Sequence, residues 1–334
     1  MTMSFHATVN CLPIPGILSK PRSQFRTRPN PNPSLSVQMS SAFLQTDESK
    51  NPSESKKISG SSSGLFKCQA QNSLLSQANT VGIIGGVSVF STLIFLEKLV
   101  WWSSRNGEEG VPFVVCNDPA LDEGFIISQA SFQSSVCEIS QKEVNYEPII
   151  QNLKHKRVFL EQSGARCLVM PCHVSNIWHD EISEGCSLPF LHVGECVARE
   201  LKEAKLKPLD AGSSVRIGVL AACETIAAGF YQEKLQNQGF EVVLPDKATM
   251  EHILIPALES LNKRDIEGAR NLLRVAIQVL LIRGVNVVIL ASDELHNLLP
   301  REDPLLKKCI DPMDALARST IRWAKSAKKV HKKT

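Results

Sequence analysis

The sequence predicts an α/β fold built from two groups of four short parallel strands, and three observations carry that expectation. From residue 80 onward, brief aliphatic and β-branched runs alternate with longer stretches of helical spacing. The brief runs are apolar throughout rather than alternating, as in strands covered by crossover helices on both faces. Eight such runs occur, four on each side of about residue 194.

In chain order, Val81–Ile84 is the first strand and Gly85-Gly86 its turn, followed by helical spacing from Phe90 to Trp101. This region is uncharged from 74 to 96, which raises a membrane span. Gly82, Gly85 and Gly86 interrupt it, however, and the helical spacing continues through Glu97 and Lys98, so a strand, turn and buried helix are expected and no membrane partner. Strands follow at Pro112–Cys116, Cys167–Met170 and Pro189–Val193, then an amphipathic helix at Glu195–Leu206. The second group has strands at Val215–Leu220, Glu241–Leu244, Val285–Leu290 and Leu306–Ile310. Helical spacing fills its gaps at Thr225–Gln236, Thr249–Leu261 and Ile266–Arg283.

Before residue 79 the composition changes. Six of the 18 prolines fall between Pro13 and Pro33, and serines crowd residues 34–63. Such a segment buries too little apolar surface to offset its conformational entropy. Residues 1–46 hold Lys20, Arg22, Arg26 and Arg28 and no acid, so the remaining chain carries −1 of the total +3. A basic, Ser-rich, acid-poor leader without a compact apolar run reads as an organelle transit peptide over residues 1–78, with the chloroplast stroma as the expected compartment. The near-neutral body argues against nucleic acid as a partner, because phosphate binding needs a concentrated positive face.

Ten cysteines without a CxxC pair or a secretory signal do not make a disulfide framework. Cys172, His173, His179, Cys186, His192 and Cys196 are all metal-capable, but they straddle a strand, a helix and a second strand, so no metal site is expected. Gly85-Gly86 lacks the spacing of a dinucleotide fingerprint.

Parallel sheets place ligands at the carboxyl ends of their strands. Those ends carry Gly86 and Ser88 after the first strand and Asn117 after the second. Cys172, His173 and Val174 follow the third, and Ser292, Asp293 and Glu294 follow Val285–Leu290. Cys172 begins a predicted helix, whose dipole would lower its pKa toward a reactive thiolate. The other reading is a small buried hydrophobe.

The chain resembles the aspartate/glutamate racemase superfamily over nearly all of residues 80–326. The similar segments are Thr80 to Gly86, Phe113 to Pro119, Leu168 to Cys172, Gly218 to Ala221 with Thr225, Gly229 and Tyr231, Ile289 to Glu294, and Ile310 to Asp314. The resemblance implies two pseudo-symmetric α/β domains, here 79–193 with 310–334 and 194–309, with the active site between them. It implies proton transfer at Cα by two cysteines, without pyridoxal phosphate or metal, on an amino acid or related dicarboxylate. It also implies a homodimer. Carried over, Cys172 is one catalytic residue and Ser292 stands where the second cysteine belongs. Gly86, Ser88, Asn117, His173, Val174, Asp293 and Glu294 are the substrate-binding candidates.

The departures bear on activity. A serine hydroxyl without an adjacent base is a poor substitute for a thiol. Val174 replaces a carboxylate-binding hydroxyl, and Glu123-Gly124 replaces an Asp-Arg pair. Three functions therefore stand: an amino-acid racemase using Cys172 and Ser292, a one-base decarboxylase or isomerase using Cys172, and a silent or ligand-sensing protein on the same fold.

Overall fold

A computed structural model describes residues 77–105, 110–121, 145–209 and 212–331. The expected transit peptide and the Glu123-Gly124 substitution lie outside the described residues, apart from the leader's last two positions.

All eight strands form, in two four-stranded parallel sheets. The first contains β1 (Val81–Ile84), β2 (Phe113–Cys116), β3 (Cys167–Val169) and β4 (Phe190–Leu191) in the order β2-β1-β3-β4. The second contains β5 (Arg216–Ala221), β6 (Glu241–Val243), β7 (Val287–Ala291) and β8 (Cys309–Ile310) in the order β6-β5-β7-β8. The two orders are the same topology repeated. The strands β1 and β5 each carry a glycine where a neighbouring side chain closes on it. A Cβ on Gly82 would lie 2.7 Å from Leu168 Cδ2, and one on Gly218 would lie 3.0 Å from Leu280 Cδ1.

The helices are α1 (Val89–Ser104), α2 (Glu147–Gln162), α3 (His179–Ser183), α4 (Val193–Glu203), α5 (Cys223–Ala228), α6 (Phe230–Gln236), α7 (Lys247–Thr249), α8 (Ile255–Asn262), α9 (Ile266–Ile282) and α10 (Pro312–His331). Helix α1 is capped by Ser88, whose Oγ accepts the Ser91 N–H at 3.3 Å. Several elements differ locally from the periodicity. Gly229, at φ 72°, splits the stretch from Thr225 to Gln236 into α5 and α6, because left-handed backbone breaks a helix where glycine permits it. A π turn (Met250–Leu254) precedes Pro256, whose missing N–H and ring disturb the ordinary helical bond. Val193 starts α4 rather than ending a strand, and most of Leu306–Ile310 is a 3₁₀ turn (Pro304–Lys308), since the Asp303 side chain caps Leu305 N–H. No helix among the described residues is long and apolar enough to cross a membrane; the uncharged stretch divides into β1, a turn and α1.

Helices α4 and α10 close the two halves on each other. Helix α4 leaves the first sheet and packs on α6, while α10 leaves the second sheet and packs on α1 and α4. One apolar core therefore draws on both sheets, with Ile83, Phe95, Leu99 and Leu316 from one half and Val197, Val219, Tyr231 and Ile289 from the other. Separate cores cover the outer faces, around Leu153 and Leu168 in the first half and Leu273 and Leu280 in the second. Polar contacts fix the seam. Lys98 lies 3.2 Å from both Asp311 and Asp314, Trp102 Nε1 donates to Asp314 at 2.7 Å, and the Arg318 guanidinium stacks 4.5 Å over Trp102 while pairing with Glu200.

His192 caps α4 by accepting the Gly194 N–H on Nδ1 at 2.9 Å. Burial, and then His179 and Lys234, pull its pKa down to about 3. The unfolded imidazole titrates near 6.5, so it takes up a proton that the folded one refuses. This contribution to stability is present above about pH 6.5 and is lost as pH falls toward about 3, costing ~2 kcal/mol by about pH 5. His192→Asn keeps a capping oxygen and removes the titration. Urea midpoints at about pH 7 and about pH 5 should show a smaller acid loss in the variant; equal losses would refute the assignment.

Candidate active site

The carboxyl ends of the two sheets converge beside α1. After β3, the segment Met170 to Asn176 is held by its own bonds. Asn176 Nδ2 donates to the carbonyls of Met170 and Cys172, both at 2.8 Å. Ser175 Oγ accepts the Val87 N–H at 2.9 Å, tying this loop to the glycine turn after β1. Cys172 is 1% exposed, and its sulfur accepts the Ser88 N–H at 3.5 Å. The direction of Gly86's missing Cβ is filled by Cys172 and Ser175, so this glycine lets the two strand ends touch.

The expected lowering of the Cys172 pKa is not what the structure shows. Burial, and then the Asp293 carboxylate, push the thiol up, while bonds from Ser175 and Ser88 oppose them. No α-helix begins at Cys172; a 3₁₀ turn (Ser175–Trp178) starts three residues later, and the lowering by its first N–H, that of Ser175, is outweighed by burial. Burial thus favours the neutral thiol of Cys172.

In the second half, Ser292, Asp293 and Glu294 follow β7. Ser292 Oγ donates to the Glu294 carboxylate. Asp293 Oδ2 accepts from Ser91 Oγ on α1, which links the second half to the first. His173 points away from Cys172 and across the seam, with Nδ1 3.1 Å from the Tyr231 hydroxyl and Nε2 3.9 Å from Asp293 Oδ1. Burial lowers the His173 pKa despite Asp293, Asp311 and Glu294, so the ring is neutral near pH 7.

A cavity of about 230 Å³ opens at this junction, lined by His173, Ser292 and Asp293 together with Lys98, His296, Arg301, Asp311 and Asp314. Asp311 is held at about 2: burial acts against ionisation, but the His296 bond at 3.1 Å and Lys98 outweigh it. The other candidates do not line this cavity. Val174 packs on the outer core of the first half, and the Asn117 carboxamide lies over Gly85 with Thr92 Oγ1 3.4 Å from its oxygen. Gly86, Ser88 and Cys172 pack on one another in the first half.

Two residues absent from the sequence-based set matter here. Lys156 is 6% exposed and donates Nζ–H to the Gly85 carbonyl at 2.8 Å, placing a cation beneath the glycine turn within reach of Cys116 and Cys172. In the sequence it reads as part of a solvated helix face among Lys154, His155 and Arg157. Tyr231 is wholly buried and reaches His173 from the other half. It falls in a segment matched by resemblance, but nothing local marks it as polar machinery.

Among the described residues no group of three or more His, Cys, Asp or Glu side chains is placed to hold a metal ion. His179 and His192 stack instead with each other, centroids 4.6 Å apart, and with Phe190 and Phe230.

Comparison with known proteins places this geometry in context. The family model described as Asp/Glu/Hydantoin racemase matches residues 84–320. An uncharacterised protein from the pnlA 3′ region of Pectobacterium carotovorum is 25% identical over 147 residues, 44% of this chain and 92% of that protein. A broad specificity amino-acid racemase of Bacillus subtilis is 22% identical over 166 residues, 50% of this chain and 64% of the relative, just under two thirds of its length. The crystal structure of an aspartate racemase homologue from Pyrococcus horikoshii superposes with a TM-score of 0.59 at 20% identity, covering 74% of this chain and 99% of that one, a likeness of fold.

Proposed function

The chain belongs to the Asp/Glu/hydantoin racemase family, and from that premise we propose that it is an isomerase inverting amino acids at Cα, with Cys172 and Ser292 as the two proton-transfer groups. The observation that carries this reading is the hydrogen bond from Ser292 Oγ to the Glu294 carboxylate. A lone serine cannot exchange a proton with a carbon acid at neutral pH, but a serine bonded to a carboxylate has somewhere to send its own.

In the proposed step, Ser292 Oγ accepts the Cα proton as its hydroxyl proton passes to Glu294, which becomes a carboxylic acid. The Cα–H electron pair moves into the adjoining carboxylate. The resulting carbanion takes the Cys172 proton on its other face, leaving a thiolate. Reversal with the opposite enantiomer returns both protons. Burial keeps Cys172 in the protonated form that this direction requires.

The test is Cα–H exchange in D₂O by full-length protein, followed by NMR with both enantiomers of alanine, lysine, aspartate and glutamate. Exchange with at least one pair is expected. No exchange with any would refute the reading.

We also propose a homodimer. Phe90, Leu93 and Val100 are 68%, 55% and 54% exposed and lie along one face of α1, an apolar stripe of the kind subunit contacts cover. Sedimentation should give a dimer for the parent and a monomer for the double variant Phe90→Glu, Leu93→Lys; a monomeric parent would overturn this.

A further inference from the structure

Lys156 is a buried cation without a paired anion. It occupies the apolar stripe of α2, in line with Ile150, Leu153 and Leu160, where an aliphatic side chain would pack at no electrostatic cost. Its Nζ donates to the Gly85 carbonyl at 2.8 Å. Among the described residues it forms no ion pair, although a buried ammonium is normally held by a carboxylate. Asp118 acts on it from a distance, but that carboxylate is bound by Asn152 Nδ2 at 2.9 Å and the Ala120 N–H at 3.1 Å. The position therefore asks for an anion that the resting protein does not supply.

The carbonyl that Lys156 holds belongs to the turn lying against Cys172. One residue on, a Cβ on Gly86 would stand 3.0 Å from Cys172 Sγ, and the Ser88 N–H donates to the same sulfur at 3.5 Å. Burial lowers the lysine's pKa, and Cys172 is among the groups that oppose this by favouring the charged form. In the proposed step Cys172 gives its proton to a carbanion and is left as a thiolate. That anion forms at a residue only 1% exposed, with the Asp293 carboxylate acting against it. A thiolate so placed needs a fixed opposite charge, as the lysine needs an anion.

We propose that Lys156 is a positioning residue whose ammonium, fixed behind the glycine turn, is the counter-charge for the Cys172 thiolate. One N–H bonds the Gly85 carbonyl while the charge acts through space. The pair is incomplete in the resting protein and complete only once Cys172 has released its proton. Stabilisation that appears only as charge develops speeds the step instead of tightening binding. This deepens the isomerase reading and rests on it for the role of Cys172 as proton donor.

A double-mutant cycle in full-length protein tests the charge apart from the chemistry. Cys172→Asp places a carboxylate at the sulfur's position, and Cys172→Asn is its neutral counterpart. Each is combined with Lys156 and with Lys156→Met, and unfolded in urea at about pH 7. Lys156→Met should disfavour folding at least about tenfold more beside Cys172→Asp than beside Cys172→Asn, since a nearby opposite charge shifts ionisation by about one unit or more. A lysine that merely props the turn would give equal effects in both. That result would overturn the inference, as would a Cys172→Asp protein that fails to fold beside Lys156 while Cys172→Asn folds. In Cα–H exchange, Lys156→Met should lower kcat about tenfold with KM unchanged, and Lys156→Arg, which keeps the charge, should recover part of the loss. An unchanged kcat in Lys156→Met, or no recovery in a folded Lys156→Arg protein, would also overturn it. If the cycle couples as stated but the parent protein exchanges no Cα–H, the counter-charge stands and the isomerase reading falls.

Discussion

Replacing Cys172 by serine is expected to lower Cα–H exchange by about 10²- to 10⁴-fold, the range contributed by a positioned acid or base. The two side chains have nearly the same shape, and the Ser88 N–H can still find an acceptor, so the folded state should persist. What changes is acidity. In the proposed direction Cys172 must release its proton to a carbanion, and an aliphatic hydroxyl holds that proton far more tightly than a thiol. Lys156, buried beneath the glycine turn, cannot compensate, because its ammonium is already committed to the Gly85 carbonyl. Exchange rates and melting temperature should be measured together. Undiminished exchange in a folded Cys172→Ser protein would remove the sulfur from the mechanism.

The second large effect is expected at Gly86. A Cβ there would stand 2.3 Å from Cys172 Cβ, 2.4 Å from Ser175 Oγ and 3.0 Å from Cys172 Sγ. Cys172 Cβ is next to the backbone, so it cannot swing aside as a long side-chain tip would. The turn after β1 and the loop after β3 must part, which strains or breaks the Val87 to Ser175 and Ser88 to Cys172 bonds. Gly86→Ala should cost about 1–3 kcal/mol, as overpacking does elsewhere. It should also raise the rate at which iodoacetamide modifies Cys172, since the sulfur loses its cover. Gly110→Ala is the control, with nothing within 4 Å of its added methyl. Equal stability and equal Cys172 labelling in the two variants would contradict the packing described.

Much of the fold was legible because it is written in local pattern. Uniform apolar runs such as Val81–Ile84 and Val287–Ala291 became central strands, since only a sheet covered on both faces accommodates them. Errors gathered where one residue overrides periodicity: Gly229 broke a helix, and Pro256 followed a π turn. Of the two readings of Cys172, the buried one prevails over the dipole-activated one for a different reason. A strand end followed by a helical pattern suggested a favourable dipole, whereas burial and an acid from 121 positions downstream decided the outcome.

The amino-acid order by itself determined two groups of four strands and the grouping of chemistry-bearing side chains at strand ends. Tertiary structure alone decided which of those side chains meet. His173 and Tyr231 are 58 residues apart, Gly85 and Lys156 are 71, and Ser91 and Asp293 are 202. Periodicity reports which face of an element avoids water, because that preference acts on each segment separately. Hydrogen-bond partners, tautomers and acidities depend on distances of a few ångströms across the seam, and those exist only once α4 and α10 have drawn the two sheets together.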